Sequence, residues 1–178
     1  DYLGEVGLGS WEYSDYAKDF NPTVDWISAG SGRFDLTGKP LAEASYMRIV
    51  YGDLVNPVIA AVPVNHTNDA HSPSAWKKTN AVESWSWRGY SGEKATVKVY
   101  VRAASVVLKI NDKIVGKKKV GKSCRVTFNT RYEDGEITAI AYDENDREIG
   151  RSTLYTASNQ TKLQIIPEEK VVKSGELC

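Results

Sequence analysis

From residue 81 onward the chain breaks into short runs in which apolar and polar residues alternate: VESWSW, ATVKVYVR, SVVLKIN, KIVGKK, SCRVTFNT, EITAIAYD and EIGRSTLYTA. Successive side chains of a strand point to opposite faces, so such alternation gives one apolar face and one wet one. Val97, Val99 and Val101 share a face in this way, and so do Cys124, Val126 and Phe128. The turn signals NDK, EDGE and DENDRE separate these short runs, which favours an all-β sandwich. Residues 81–160 are therefore expected to fold as an immunoglobulin-like β-sandwich.

The first half reads differently. Up to Gly38 it is rich in glycine, aromatic and acidic residues, after which KPLAEASYMRIVYG reads as a helix. Pro40 suits its first turn, Ala42, Tyr46, Ile49 and Val50 fall at i, i+4, i+7 and i+8, and Gly52 is placed to stop it. A long loop and one helix cannot bury a core, so residues 1–53 are expected to belong to something larger. Residues 54–80, in which Pro57 and Pro63 interrupt an apolar run ahead of NHTNDAHSPSAWKKTN, read as a linker. Residues 161–178 read as a strand-like run, a charged turn and the start of another apolar segment. The chain begins on Asp1 rather than Met, and both ends read as cuts in a longer protein.

Among the 178 residues, 23 Lys and Arg balance 23 Asp and Glu, so no net charge draws the chain to nucleic acid or to an anionic membrane, and neither partner is expected. No run approaches the roughly 20 apolar residues that span a bilayer, and the N-terminus lacks signal-peptide order. The compartment stays open between cytoplasmic and secreted or periplasmic. Cys124 and Cys178 are too few for a disulfide framework or a zinc site and read as free thiols. His66, Asp69 and His71 lie close together but not at a recognised ligand spacing, so neither a metal nor a cofactor is expected. Asn65 and Asn159 begin acceptor patterns that matter only in a eukaryotic secretory host.

Two features admit two readings each. Trp85 and Trp87, two apart, point the same way off a strand and either grip a glycan or pack in the core; we read packing, because aromatics of this size dominate cores. KIVGKKKVGK either binds a polyanion or forms a solvated sheet edge whose lysines guard against strand pairing, and we read the edge.

DYLGE, then SGRFDLTGKP and the helix EASYMRIVYG, resembles the end of the catalytic (β/α)8 barrel in family 2 glycoside hydrolases of the β-galactosidase type. ESWSWRGYSGEKATVKVYVRAASVVLKINDKIVGKK and YEDGEITAIAYDENDREIGRSTLYTA resemble the immunoglobulin-like domain that follows the barrel in bacterial members. The resemblance implies a mainly β chain: the last loop–helix unit of a (β/α)8 barrel, then the sandwich, with residues 161–178 as the start of a further β-sandwich domain. Such enzymes are retaining, with a nucleophilic and an acid/base carboxylate about 5 Å apart. Both sit on earlier barrel strands in motifs without a match here, so no catalytic residue is expected in this chain.

What the resemblance carries over is the rim of the sugar pocket: Asp1, Tyr2, Glu5, Trp26 and Arg33 would lie in the last active-site loop. Carboxylates there accept sugar hydroxyls, and an indole offers a flat surface to a pyranose. Bland roles compete: Glu5 pairing with a barrel cation, Asp1 bracing the loop, Trp11 and Trp26 packing. The whole enzyme would hydrolyse terminal β-linked galactose or a related sugar. This chain would be non-catalytic and buttress the barrel, with the rest of the barrel and, through the whole enzyme, a β-galactoside or related glycan as partners. The alternative is a carbohydrate-binding or structural sandwich module. Without a barrel, the helix should leave its apolar face exposed unless it docks on the sandwich.

Overall fold

The computed structural model describes residues 16–17, 28–29, 33–34, 40–66 and 79–158. After a two-residue antiparallel pair, β1 (Tyr16–Ala17) and β2 (Ser28–Ala29), come α1 (Ala42–Tyr51), β3 (Val58–Ala61) and a 3-10 turn at Val64–His66. Six strands follow: β4 (Lys94–Tyr100), β5 (Ser105–Ile110), β6 (Lys113–Lys119), β7 (Arg125–Arg131), β8 (Glu136–Tyr142) and β9 (Glu148–Tyr155). One sheet has the order β3-β4-β7 and the other β6-β5-β8-β9, with every pairing antiparallel. The chain changes sheet between β4 and β5, β6 and β7, and β7 and β8, the Greek-key crossing of an immunoglobulin-like sandwich.

Alternation builds the core. On β4, Ala95, Val97 and Val99 face inward, opposite Val126 and Phe128 of β7, and meet Val106, Leu108 and Ile110 of β5 and Ile137 and Ala139 of β8. The valine face read from sequence, Val97, Val99 and Val101, is fully buried. Cys124 departs from its reading: it sits in a turn with φ +51°, its N–H donating to the Gly121 carbonyl at 3.0 Å, and lies half-buried outside the main core. VESWSW forms no strand either, apart from one bridge between Val82 and Ala61.

Asn111 and Asp112, with φ of +47° and +64°, make the two-residue turn between β5 and β6. Asn111 clamps the neighbouring corner, its amide donating to the Asp134 carbonyl at 2.8 Å and its side-chain oxygen accepting from Glu136 N–H at 2.9 Å. Gly135 is required beside it: φ is +126°, and a Cβ there would fall 1.9 Å from the Asn111 oxygen.

The stretch read as a linker contributes a strand. Pro57 and Pro63 flank β3 rather than interrupt it, and β3 is the outer strand of its sheet, where a missing N–H costs no ladder bond. β6 is likewise an outer strand, and the lysines of its run are the solvated edge residues expected of it.

Candidate functional site

The candidate site is the joint between α1 and the outer face of the three-stranded sheet. The helix starts at Pro40–Leu41, where Leu41 N–H donates to the Arg33 carbonyl at 2.8 Å and Phe34 bridges to Pro40. It ends at Gly52, left-handed at φ 90°, whose N–H and that of Asp53 satisfy the last carbonyls. Ala42, Ala44, Ser45 and Ile49 are the buried residues of the helix, while Val50, read as part of its apolar stripe, is exposed. That stripe meets Ala60, Tyr100 and Ala81, leaving Ile49 with 0% and Tyr100 with 2% of their surface exposed. The apolar face of the helix is thus covered by the sandwich.

Polar groups rim this cluster. Ser45 donates its hydroxyl to the Glu83 carboxylate. Glu43 accepts from Thr79 N–H at 3.1 Å, and the Thr79 hydroxyl oxygen accepts from Lys98 Nζ at 2.6 Å and from Ala81 N–H at 3.1 Å. Tyr46 packs its ring 5.1 Å from that of Tyr100, donates to the Ser123 carbonyl at 3.0 Å, and carries the Arg125 guanidinium 5.9 Å from its ring centre. Burial, with the nearby Arg125 acting in the same direction, lowers the Lys98 pKa. Burial pushes the Tyr100 phenol up to about 12 although Arg125 pulls the other way.

Of the residues expected to line a sugar pocket, Arg33 alone is described; it is half-buried, and its carbonyl anchors the helix start. Asp1, Tyr2, Glu5 and Trp26 lie outside the described residues, as do Trp11, Asp69, His71, Asn159, Cys178 and the segment 161–178. Among the described residues no group of three His, Cys, Asp or Glu side chains could hold a metal. No helix there is long and apolar enough to cross a membrane.

Trp85 and Trp87 form no platform for sugar. They are 1% and 8% exposed and stack edge to face with each other and with Tyr132, at centroid distances of 4.9 to 5.9 Å. Sequence reasoning missed Tyr132, which sits at the corner between β7 and β8. Its hydroxyl accepts from Trp87 N–H at 3.1 Å and donates to Asp134 Oδ1 at 2.7 Å. The available signal was an aromatic at the end of a strand followed by EDGE, the position of the corner tyrosine in immunoglobulin-type sandwiches.

Two clefts flank these elements. One, of about 380 Å³, lies along α1, β3 and β9 and is lined by Ser45, Arg48, Asn56, Glu83, Ser152 and Thr153 among others. The other, about 720 Å³ and open, lies over β6 and the β8–β9 turn, where Lys117 pairs with Asp146 at 2.6 Å. Asp143 in that turn already accepts from the N–H groups of Asn145 and Arg147. The arrangement at the joint suits holding two elements in register rather than transferring a proton or a glycosyl group.

A family model described as "Domain of unknown function (DUF4982)" matches residues 92–150, less than half of the chain. No curated protein matches it. Solved structures do. A glycosyl hydrolase family 2 member from Bacteroides cellulosilyticus is similar with a TM-score of 0.71 and 24% identity, over 84% of this chain and 21% of that one. A second member from Bacteroides cellulosilyticus DSM 14838 is similar with a TM-score of 0.60 and 25% identity, over 72% of this chain and 17% of that one. A β-glucuronidase from glycoside hydrolase family 2 is similar with a TM-score of 0.56 and 22% identity, over 83% of this chain and 13% of that one. The chain thus has the fold of one segment of these glycosidases, and spans about a fifth or less of their length.

Proposed function

We propose that this chain is a C-terminal portion of a family 2 glycoside hydrolase in which residues 1–53 complete the catalytic barrel and the sandwich buttresses it. The observation that carries the reading is the joint: a helix whose apolar stripe is spent on the outer face of a sandwich, in a chain whose likeness to a family 2 structure covers 84% of its length. A free-standing sandwich has no need of that helix. In this reading α1 is the last barrel helix, β3 to β9 form the supporting domain, and residues 161–178 open a further sandwich.

The chemistry then belongs to the whole enzyme, which hydrolyses a terminal β-linked sugar by the retaining route through two glutamates outside this chain. Asp1, Tyr2, Glu5, Trp26 and Arg33 frame its pocket. Galactose or a related sugar is the proposed substrate, the resemblance of DYLGE and SGRFDLTGKP being its support.

Chromogenic β-glycosides test both levels. The 178-residue chain should turn over none of them, and turnover would overturn the non-catalytic role. The full-length gene product should prefer a β-galactoside. Preference for a β-glucuronide would replace the sugar and keep the family; inactivity on every β-glycoside would count against the family itself.

A further inference from the structure

The chain's charge balance conceals a sharp segregation. Residues 94–131 carry eleven Lys and Arg against one acidic residue, Asp112. Edge protection accounts for lysines on β6, an outer strand. It does not account for those on β4, which has a neighbour on each side. With Val97, Val99, Val126 and Phe128 turned inward, the outward set on β4 and β7 is Lys94, Thr96, Lys98, the buried Tyr100, Arg125, Thr127, Asn129 and Arg131. Four of these are cations and none is a carboxylate.

Lys94 and Arg131 are direct cross-strand partners, a like-charge pairing that costs stability, with Cβ atoms about 5 Å apart. None of the four cations has an ion pair among the described residues. Burial first, and then Arg125, depress the pKa of Lys98, while Glu43 on α1 acts the other way. Between the cations lie neutral hydrogen-bonding groups: Thr96 and Asn129, 3.4 Å apart, and Thr127. Lys118 lies over the Phe128 ring and donates to the Thr127 carbonyl, bringing a fifth cation to the β7 side. Lys94, Arg125 and Arg131 are exposed; α1 covers the Tyr100 end of the face, where the Tyr46 ring lies against the Arg125 guanidinium, and Lys98 is half-buried, donating to the Thr79 hydroxyl.

We propose that this face, built on Lys94, Lys98, Arg125 and Arg131 with Lys118 at its rim, is a binding site for an acidic polysaccharide bearing one carboxylate per sugar. Cations interleaved with hydroxyl and amide groups match a chain that offers carboxylates and free hydroxyls in alternation. Single-stranded nucleic acid fits less well, because base stacking needs exposed aromatics and none of the exposed large apolar residues lies on this face. A protein partner fits less well for the same lack of apolar anchors. Binding at this face is read without hydrolysis, so its failure leaves the glycosidase reading untouched.

Affinity electrophoresis of the 178-residue chain tests it, with polygalacturonate, dextran, dextran sulfate and duplex DNA as probes. Polygalacturonate should retard the chain at low salt, dextran should not, and about 0.5 M NaCl should abolish the effect. The double variant Lys94→Gln/Arg131→Gln should weaken binding by roughly tenfold or more, and Arg125→Gln at the far end of the face should weaken it too. Lys109→Gln, on the other sheet, should change nothing. Thermal melts should show the variants folded, since removing a like-charge pair relieves the sheet. Absence of retardation, retardation that neither face variant reduces, or tighter binding to dextran sulfate or DNA would overturn the proposal.

Discussion

Tyr132 ties the segment before β4 to the β7–β8 corner through one oxygen. Its ring packs on Trp85 and Trp87, and its hydroxyl accepts the buried Trp87 N–H while donating to Asp134. Tyr132→Phe keeps the ring and orphans that N–H, so urea unfolding should show a loss of about 1–3 kcal/mol. A loss near zero would mean that water replaces the hydroxyl. Tyr100 makes a different residue-scale prediction, because burial raises its folded pKa to about 12 from the ordinary phenol value of 10.0. The protonated phenol is favoured by folding, so this contribution is whole below pH 10, where the unfolded phenol is also protonated. It is lost as pH rises from about 10 through 12, by on the order of 2 kcal/mol. Stability measured across that window should fall less steeply in Tyr100→Phe, with the residual slope including Tyr132, whose pKa burial also raises. That the tryptophans pack was legible in sequence from their size. The residue that completes the cluster was not, because Trp87 and Tyr132 are 45 positions apart and only the fold brings them together.

At the scale of elements, period decided what could be read. The alternation of β4 and the i, i+4, i+7 spacing of α1 located both elements, since each has one buried face. β3 escaped because a strand of four residues, set between two prolines, carries too short a pattern, and its pairing with β4 is what makes it a strand. Val50 was misassigned to the buried stripe because the cluster on the sheet takes up Ala42 and Ile49, with Tyr46 beside them, and leaves Val50 in solvent. Ile49→Ala should therefore cost about 2–5 kcal/mol in equilibrium unfolding, as expected for a fully buried isoleucine. A cost below 1 kcal/mol would mean that α1 is a passenger on the sheet. The paired cations of β4 and β7 make an opposite prediction. Lys94→Glu places an acid across from Arg131 and should stabilise the chain by about 0.2–1 kcal/mol, an effect that high salt removes. Destabilisation at low salt would show that the two side chains avoid each other already.

For the whole molecule, sequence separated the β-rich part from what precedes it, and the structure joins them through a second, smaller core. The rim residues expected to frame a sugar were legible only through resemblance: nothing in the periodicity of a glycine-rich acidic loop specifies a partner. The sandwich core draws on both sheets and includes Trp85, Leu108, Phe128, Tyr132 and Ile137, whereas the joint rests on Ala42, Ile49, Ala60, Ala81 and Tyr100. Opening the joint exposes far less apolar surface than opening the sandwich, so it should cost less free energy. Yet two of its five buried residues, Ala60 and Tyr100, belong to β3 and β4. Those strands remain paired when α1 lifts away, because the bonds between them do not pass through the helix. Native-state hydrogen exchange should therefore resolve two openings. The α1 amides, including those of Gly52 and Asp53 that cap its end, should exchange through a sub-global opening, and the β5 and β8 amides at Leu108 and Ala139 only through global unfolding. Ile49→Ala should accelerate the first set strongly and leave the opening free energy of the second closer to wild type. If both sets shift by the same amount, helix and sandwich unfold as one unit, and the joint contributes to the stability of the whole domain rather than to the attachment of the helix alone.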